Sequence, residues 1–310
     1  FRTILFSLAM IVTLACGGWH DQKDDTDEPR GTTLQNLYDV KLANLIGMLD
    51  EPSGWPSVTD CDGLLWAGLA CSIGIDQINI WLAEYTPGEW HRRPAPACWT
   101  SSDGPQGSAS TISGDMLQGL YACLWYKKDL PTLQRLATYG EGHSWVMGQP
   151  WPEAADRVLL RPNQVGVLGE LIYAVSDGEV KKPYSAWPSL YLPVDKDYAR
   201  HLQALEIGLR GDVDEWLQAK GLDAMPADSA QLMGISDAQL KHLEWLVDQE
   251  PQNPLFAATL GAYTGDMGPA TSLLMDPATP APTYARCDKP EACVLIAWLK
   301  AANTVLKHVK

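Results

Sequence analysis

From residue 33 onward, apolar side chains return every three or four positions, the spacing that gathers them on one face of an α-helix. The first such run covers residues 33–50, with Leu34, Leu37, Val40, Leu42, Leu45, Ile46 and Leu49 in phase. After a Pro/Gly break at 51–56, residues 57–74 open with Thr59 and Asp60 as cap candidates and then run apolar to Gly74. Ser113 caps a helix expected to reach about Tyr126, with Met116, Leu117, Leu120, Cys123 and Leu124 on its buried side. A helix over 130–138 follows, with Pro131 in its first turn. Residues 163–176 carry Val165, Leu168, Leu171, Ile172 and Val175 on one face, and further helices are expected near 195–209, 213–219, 236–249, 254–263 and 291–308. Alternating β-branched stretches are almost lacking, so the pattern predicts an all-α protein of about ten helices.

Two segments break the periodicity. Residues 75–107 and 177–194 are rich in Trp and Pro and read as long loops, functional or held by disulfides. The second is also a possible sub-boundary within a single domain spanning 33–310. The string DMLQGLYAC at 115–123 resembles DGLLWAGLAC at 62–71, a weak sign of a repeated helical hairpin. Hairpins of this kind pack as irregular bundles, solenoids or α/α-toroids.

Composition narrows the function classes. A net charge of -15 argues against a nucleic-acid partner, because phosphate contacts need a basic face. The same surface repels anionic lipid, so membrane contact would require an anchor. Aromatic usage is lopsided, 13 Trp and 11 Tyr against 3 Phe, which suits half-wet clefts and sugar faces as well as it suits core filling.

Residues 4–14 form an apolar run of signal-peptide length, too short to span a bilayer. The run ends Val12-Thr13-Leu14-Ala15-Cys16-Gly17, which resembles the lipobox of bacterial lipoproteins, although Thr13 stands where that family usually has Leu, Val or Ile. The resemblance implies a signal peptide over 1–15, a lipidated Cys16, an acidic tether over 16–32 and, with Gly17 after the cysteine, an outer-membrane or cell-surface location. An ordinary secretory signal is the other reading. Six cysteines then remain in an exported chain, an even number that allows disulfides. Cys287 and Cys293 are the expected pair, Cys61 with Cys98 would staple the long loop, and Cys71 and Cys123 read equally as buried thiols or a bridge.

Candidate chemistry concentrates between residues 110 and 162. Glu141 and His143 lie in YGEGHSW, where glycines permit close ligand approach and His suits proton transfer near neutrality. A glycine-rich helix end with a half-exposed His is the structural alternative. Asp60, Asp62 and Asp115 stand at helix starts, placed either as caps or as carboxylates at one end of neighbouring helices. His91, Arg92 and Arg93, with Arg157 and Arg161, are arranged to hold an anionic substituent or else to pair with internal acids. Trp90, Trp145 and Trp151 are the candidate ring-stacking residues, with residues 140–151 expected to face the 81–99 loop. Neither GxSxG, a P-loop, HExxH, CxxC nor a dinucleotide fingerprint occurs, and no metal or cofactor is expected. Arg210-Gly211-Asp212 spells an adhesion tripeptide that three residues produce easily by chance, and the nearby aspartates do not make an EF-hand.

Taken with the helical hairpins, the tryptophans and the acids at helix starts, residues 33–265 loosely resemble the α/α-toroid carbohydrate-active enzymes. That likeness implies an exported, lipid-anchored hydrolase or lyase acting on a glycan or envelope polymer by carboxylate and His acid–base catalysis. The alternatives are a non-catalytic surface lipoprotein that binds a ligand or partner through the same loops, and a structural envelope component.

Overall fold

The computed structural model describes residues 33–50, 54–56, 63–94, 112–147, 160–186, 193–222, 235–280 and 290–309. Ten α-helices occur among them. Thr33 accepts from the Asn36 amide at 3.2 Å and starts α1, Leu34–Ile46. Then come α2, Gly63–Ser72, α3, Gly114–Lys127, and α4, Leu130–Gly142, whose cap Asp129 accepts from the Thr132 amide at 3.1 Å. The remaining helices are α5, Pro162–Val175, α6, Asp197–Ala219, α7, Ile235–Gln249, α8, Pro254–Thr264, α9, Gly268–Met275, and α10, Pro290–His308. Strand structure among the described residues is two small antiparallel pairs. β1, Leu49–Asp50, pairs with β2, Trp55–Pro56, and β3, Glu84–Thr86, pairs with β4, Glu89–Trp90. The fold is all-α and bundle-like.

The centre of the core is the contact between α2 and α3. Every residue of α2 is buried, so this helix has no polar face at all. A side chain at Gly68 would collide with the backbone of Gly119, and one at Gly119 with the backbone of Leu65. Small residues on both helices therefore let the two backbones touch. Cys71 and Cys123, next along each helix, form a disulfide with 5.3 Å between their Cα atoms, which resolves these two cysteines as a bridge. Contacts at 68/119 and 71/123 advance together, so α2 and α3 run in the same direction. The two similar strings in the sequence are thus neighbours in space. Around them, α3 packs on α5 and α6, while α10 packs on α8, α1, α9 and α2.

Three differences from the sequence pattern have physical causes. The segments expected at 195–209 and 213–219 are one continuous helix, α6. Its glycines face α8: a Cβ on Gly211 would meet the Tyr263 ring at 3.2 Å, and one on Gly208 would meet Thr259 at 3.6 Å. They admit a close neighbour and leave the helix unbroken. α4 extends past the expected 138 through Gly142, because Gly140 supplies the space that the Trp145 ring occupies. α9 lies in a stretch where too few apolar positions recur to signal a helix. Within the 75–107 stretch, the described part is a 3-10 turn at Ile80–Ala83 followed by the β3–β4 hairpin. That hairpin is pinned to α4: Arg135 donates to both oxygens of Glu84, at 3.0 and 2.8 Å, and Trp81 donates to Asp129 at 3.0 Å.

Candidate functional site

The residues singled out from sequence are spread over several structural roles. Glu141 lies on the last turn of α4, where its carboxylate pairs with Lys182 at 2.9 Å and accepts from the Tyr184 hydroxyl at 3.1 Å. His143 ends the same helix, donates from Nδ1 to the Tyr139 carbonyl at 2.8 Å, and stacks on the Tyr139 ring at 4.0 Å. Asp115 sits in the first turn of α3, where the helix dipole favours a carboxylate. No hydrogen bond, ion pair or ring contact joins any two of these three among the described residues. Trp145 adopts a left-handed backbone, φ 63°, and packs edge-on against Tyr184 at 4.7 Å.

On the other arm, Trp90 is 1% exposed and belongs to the core, so its ring is not offered to a sugar. His91 is likewise buried, edge-on to Tyr85 at 5.2 Å, and burial lowers its pKa against the opposing pull of Glu89. Their aromatic and basic character made them look like surface chemistry, yet the β3–β4 hairpin turns both inward. The Arg92 carbonyl accepts from the Leu64 amide at 2.7 Å, and the Arg93 side chain lies close to Gly63, so this segment fastens the start of α2. Arg161 is the N-cap residue of α5, and its amide donates to Gln164 at 3.0 Å. Asp60, Asp62, Trp151, Arg157, Cys16 and Cys287 lie outside the described residues. Cys293 is disulfide-bonded.

What packing does bring together is a polar seam running into the middle of α6. The Arg210 guanidinium pairs with Glu170 of α5, lies 3.6 Å from Glu206 one turn back, and donates to the Asn163 carbonyl at 3.1 Å. Glu206 also accepts from Asn163 at 2.7 Å and from Gln118 of α3 at 3.2 Å. Two acids thus share one arginine, with Arg210 and Glu206 buried and Glu170 partly buried. Burial pushes the Glu170 carboxyl up to about 7 against the pull of Arg210, with Asp214 and Glu206 adding to the rise. Burial also raises Asp214, again opposed by Arg210. An arginine so engaged is not presented for adhesion, which disposes of the tripeptide at 210–212.

Two cavities flank the second half of α6 and share Asp212, Glu215 and Lys300 as a common wall. The first, of about 400 Å³, lies between α3, α6 and α10 and gathers Lys128, Lys300 and Lys307 with Tyr126 and Trp216. The second, of about 430 Å³, lies between α6, α8 and α10 and presents Asp214, Gln218, Tyr263, Thr304 and His308. Gly208 and Gly211 line this second cavity, leaving α6 bare there.

Charge in the first cavity is unusual for so acidic a chain. Lys307 is 3.6 Å from Asp212, but neither Lys128 nor Lys300 makes an ion pair among the described residues. The Lys128 ammonium lies over the Trp125 ring and 4.1 Å from the centroid of Trp216. Burial brings the Lys128 pKa down to about 7; Lys307 and Lys220 lower it further, while Asp212 and Asp177 oppose. Burial lowers Lys300 as well, with Asp212 opposing. An anion entering here would relieve both lysines at once.

These lysines were hard to see in sequence because they stand at 128, 300 and 307. One signal was present: Lys300, Thr304 and Lys307 recur at helical spacing along one side of an otherwise apolar α10. Among the described residues no group of three or more His, Cys, Asp or Glu is arranged to hold a metal ion, and no helix is long and apolar enough to cross a membrane. The chain matches no family model, no curated protein and no solved structure.

Proposed function

We propose that this chain is an exported binding protein, lipid-anchored through Cys16, that seats an acidic ring-bearing ligand in the paired cavities beside α6. An acidic glycan of the envelope or its surroundings is the ligand class that suits both cavities. The observation that carries the reading is the first cavity, where three lysines meet an aromatic wall inside a protein of net charge -15. A carboxylate or sulfate would be held by Lys300 and Lys307, and a sugar ring would lie against Tyr126, which is 45% exposed at the rim. Hydroxyls would reach Asp214, Gln218 and Thr304 in the second cavity, the kind of sparse polar set that fixes orientation in ligand sites. Binding is preferred to catalysis because Glu141 and His143 are each engaged locally and no hydrogen bond or ion pair joins Asp115 to either among the described residues.

The test is a thermal-shift panel of uronate-bearing, sulfated and neutral oligosaccharides on the unlipidated body. Stabilisation approaching 2.7 kcal/mol, about what a ligand at a hundred times its Kd supplies, is expected for acidic members only. Equal shifts from neutral sugars, or none from any member, would remove the reading.

A glycan hydrolase is the second reading, favoured by Asp214. Burial raises its carboxyl pKa toward the protonated form that a general acid needs, and it lines the second cavity. Release of reducing ends from an acidic polysaccharide, lost in Asp214→Asn with binding retained, would favour it over binding alone.

A further inference from the structure

Lys128 occupies a backbone position that lysine rarely takes. It ends α3 in the left-handed region, φ 52°, where glycine or asparagine is the usual choice and an L side chain is strained. Its Nζ lies over the Trp125 ring of α3 and beside the Trp216 ring of α6 at the cavity wall. Asp212 and Glu215 approach the cavity from α6, with Lys220 just past its end; Lys300 and Lys307 face it from α10, and Asp177 lies in the turn after α5. Three cationic neighbours against three acids leave no surplus of negative charge to hold the ammonium. A strained backbone at a cavity, carrying an amine without an ion-pair partner among the described residues, marks a placed functional group.

We propose that Lys128 is a carbonyl-reactive amine that captures the aldehyde of an acidic ligand as an imine. The neutral Nζ lone pair attacks the carbonyl carbon while the C=O π electrons move to oxygen. The resulting carbinolamine takes a proton on its hydroxyl from the Lys307 ammonium, which lines the same cavity and acts on Lys128 electrostatically. Water leaves as C=N forms, and the nitrogen proton returns to Lys307 through solvent. Nothing is oxidised or reduced, and water reverses the step. Burial and the neighbouring lysines keep a large share of Lys128 neutral near pH 7, as the nucleophile requires. The two indole faces favour the cation and so oppose that trend. This inference shares the cavity of the binding reading but does not require the ligand to be a glycan.

Glyoxylate, which joins a carboxylate to an aldehyde, is the direct probe. The full chain is treated with substoichiometric glyoxylate and cyanoborohydride over a pH series, and modified lysines are located by peptide mass spectrometry. Lys128 should be labelled about tenfold or more ahead of exposed Lys181, Lys196 and Lys241, with a rate that levels off above neutrality. Lys128→Arg should remove that label and leave the others. Labelling of Lys128 no faster than the surface lysines, or preferential labelling at Lys300, overturns the proposal. Binding of a non-reducing acidic oligosaccharide alongside failed trapping would overturn it while leaving the binding reading intact.

Discussion

Gly119 carries no side chain because the backbone of Leu65 already fills the space where one would stand. Gly68 is bound by the same constraint from the opposite side, so Ala at either position forces two buried backbones apart. Overpacking of this kind costs about 1–3 kcal/mol. Gly119→Ala should therefore lower the chemical-denaturation midpoint clearly, whereas Gly142→Ala, where a Cβ meets no neighbour within 4 Å, should not. The ion pair of Glu141 with Lys182 is a different case. Its carboxylate is 42% exposed, and exposed pairs contribute under about 1 kcal/mol, so Glu141→Gln should leave both stability and ligand binding nearly unchanged. A large loss of binding in that variant would return function to the α4 end that the sequence pointed to. His143, stacked on Tyr139 four residues earlier in its own helix, belongs to the same local structure.

At the level of helices, the seam of Gln118, Asn163, Glu170, Glu206 and Arg210 joins α3, α5 and α6 through hydrogen bonds and ion pairs that no apolar pattern announces. Removing Arg210 would leave the buried Glu206 and the partly buried Glu170 without their cation, a change that costs up to about 3–5 kcal/mol in fully buried pairs. Arg210→Met is expected to unfold at markedly lower denaturant, with Glu170→Gln/Arg210→Met recovering part of the loss. The pH dependence follows from Glu170. Its folded pKa lies above its ordinary value, so the folded state binds the extra proton between about 4.5 and about 7. Stability from this group is present below that window and falls as pH rises through it. Glu170→Gln should flatten that part of the stability profile, measured by urea unfolding at a series of pH values.

Helix number and class were readable because three- and four-residue spacing reports directly on burial. The length of α6 was not, since Gly208 and Gly211 look like breakers unless Tyr263 and Thr259 are known to press on them. The site was less legible still: Lys128, Lys300 and Lys307 come from two helices far apart in sequence. The turn at Gly140–Trp145 drew notice because glycine, histidine and tryptophan suit ligand sites and tight helix ends equally.

At the scale of the whole fold, a cross-link in the core and a charge asymmetry set the behaviour. The Cys71–Cys123 bridge closes a loop with a sequence separation of 52 at the middle of the core. Loop-closure entropy for that length corresponds to about 4 kcal/mol. Cys71→Ala/Cys123→Ala should lose most of that in equilibrium unfolding, and folding should be most robust in an oxidising compartment. The charge asymmetry is the lysine-walled cavity inside an acidic protein, and the central claim rests on it. Calorimetric titration of a uronate oligosaccharide into the wild type and into Lys300→Met/Lys307→Met tests it most directly. Saturable binding to the wild type is expected, with at least about a tenfold weaker Kd in the double variant, about 1.4 kcal/mol, and thermal unfolding that stays cooperative. Equal affinity in the two proteins, or no binding by the wild type, would contradict it.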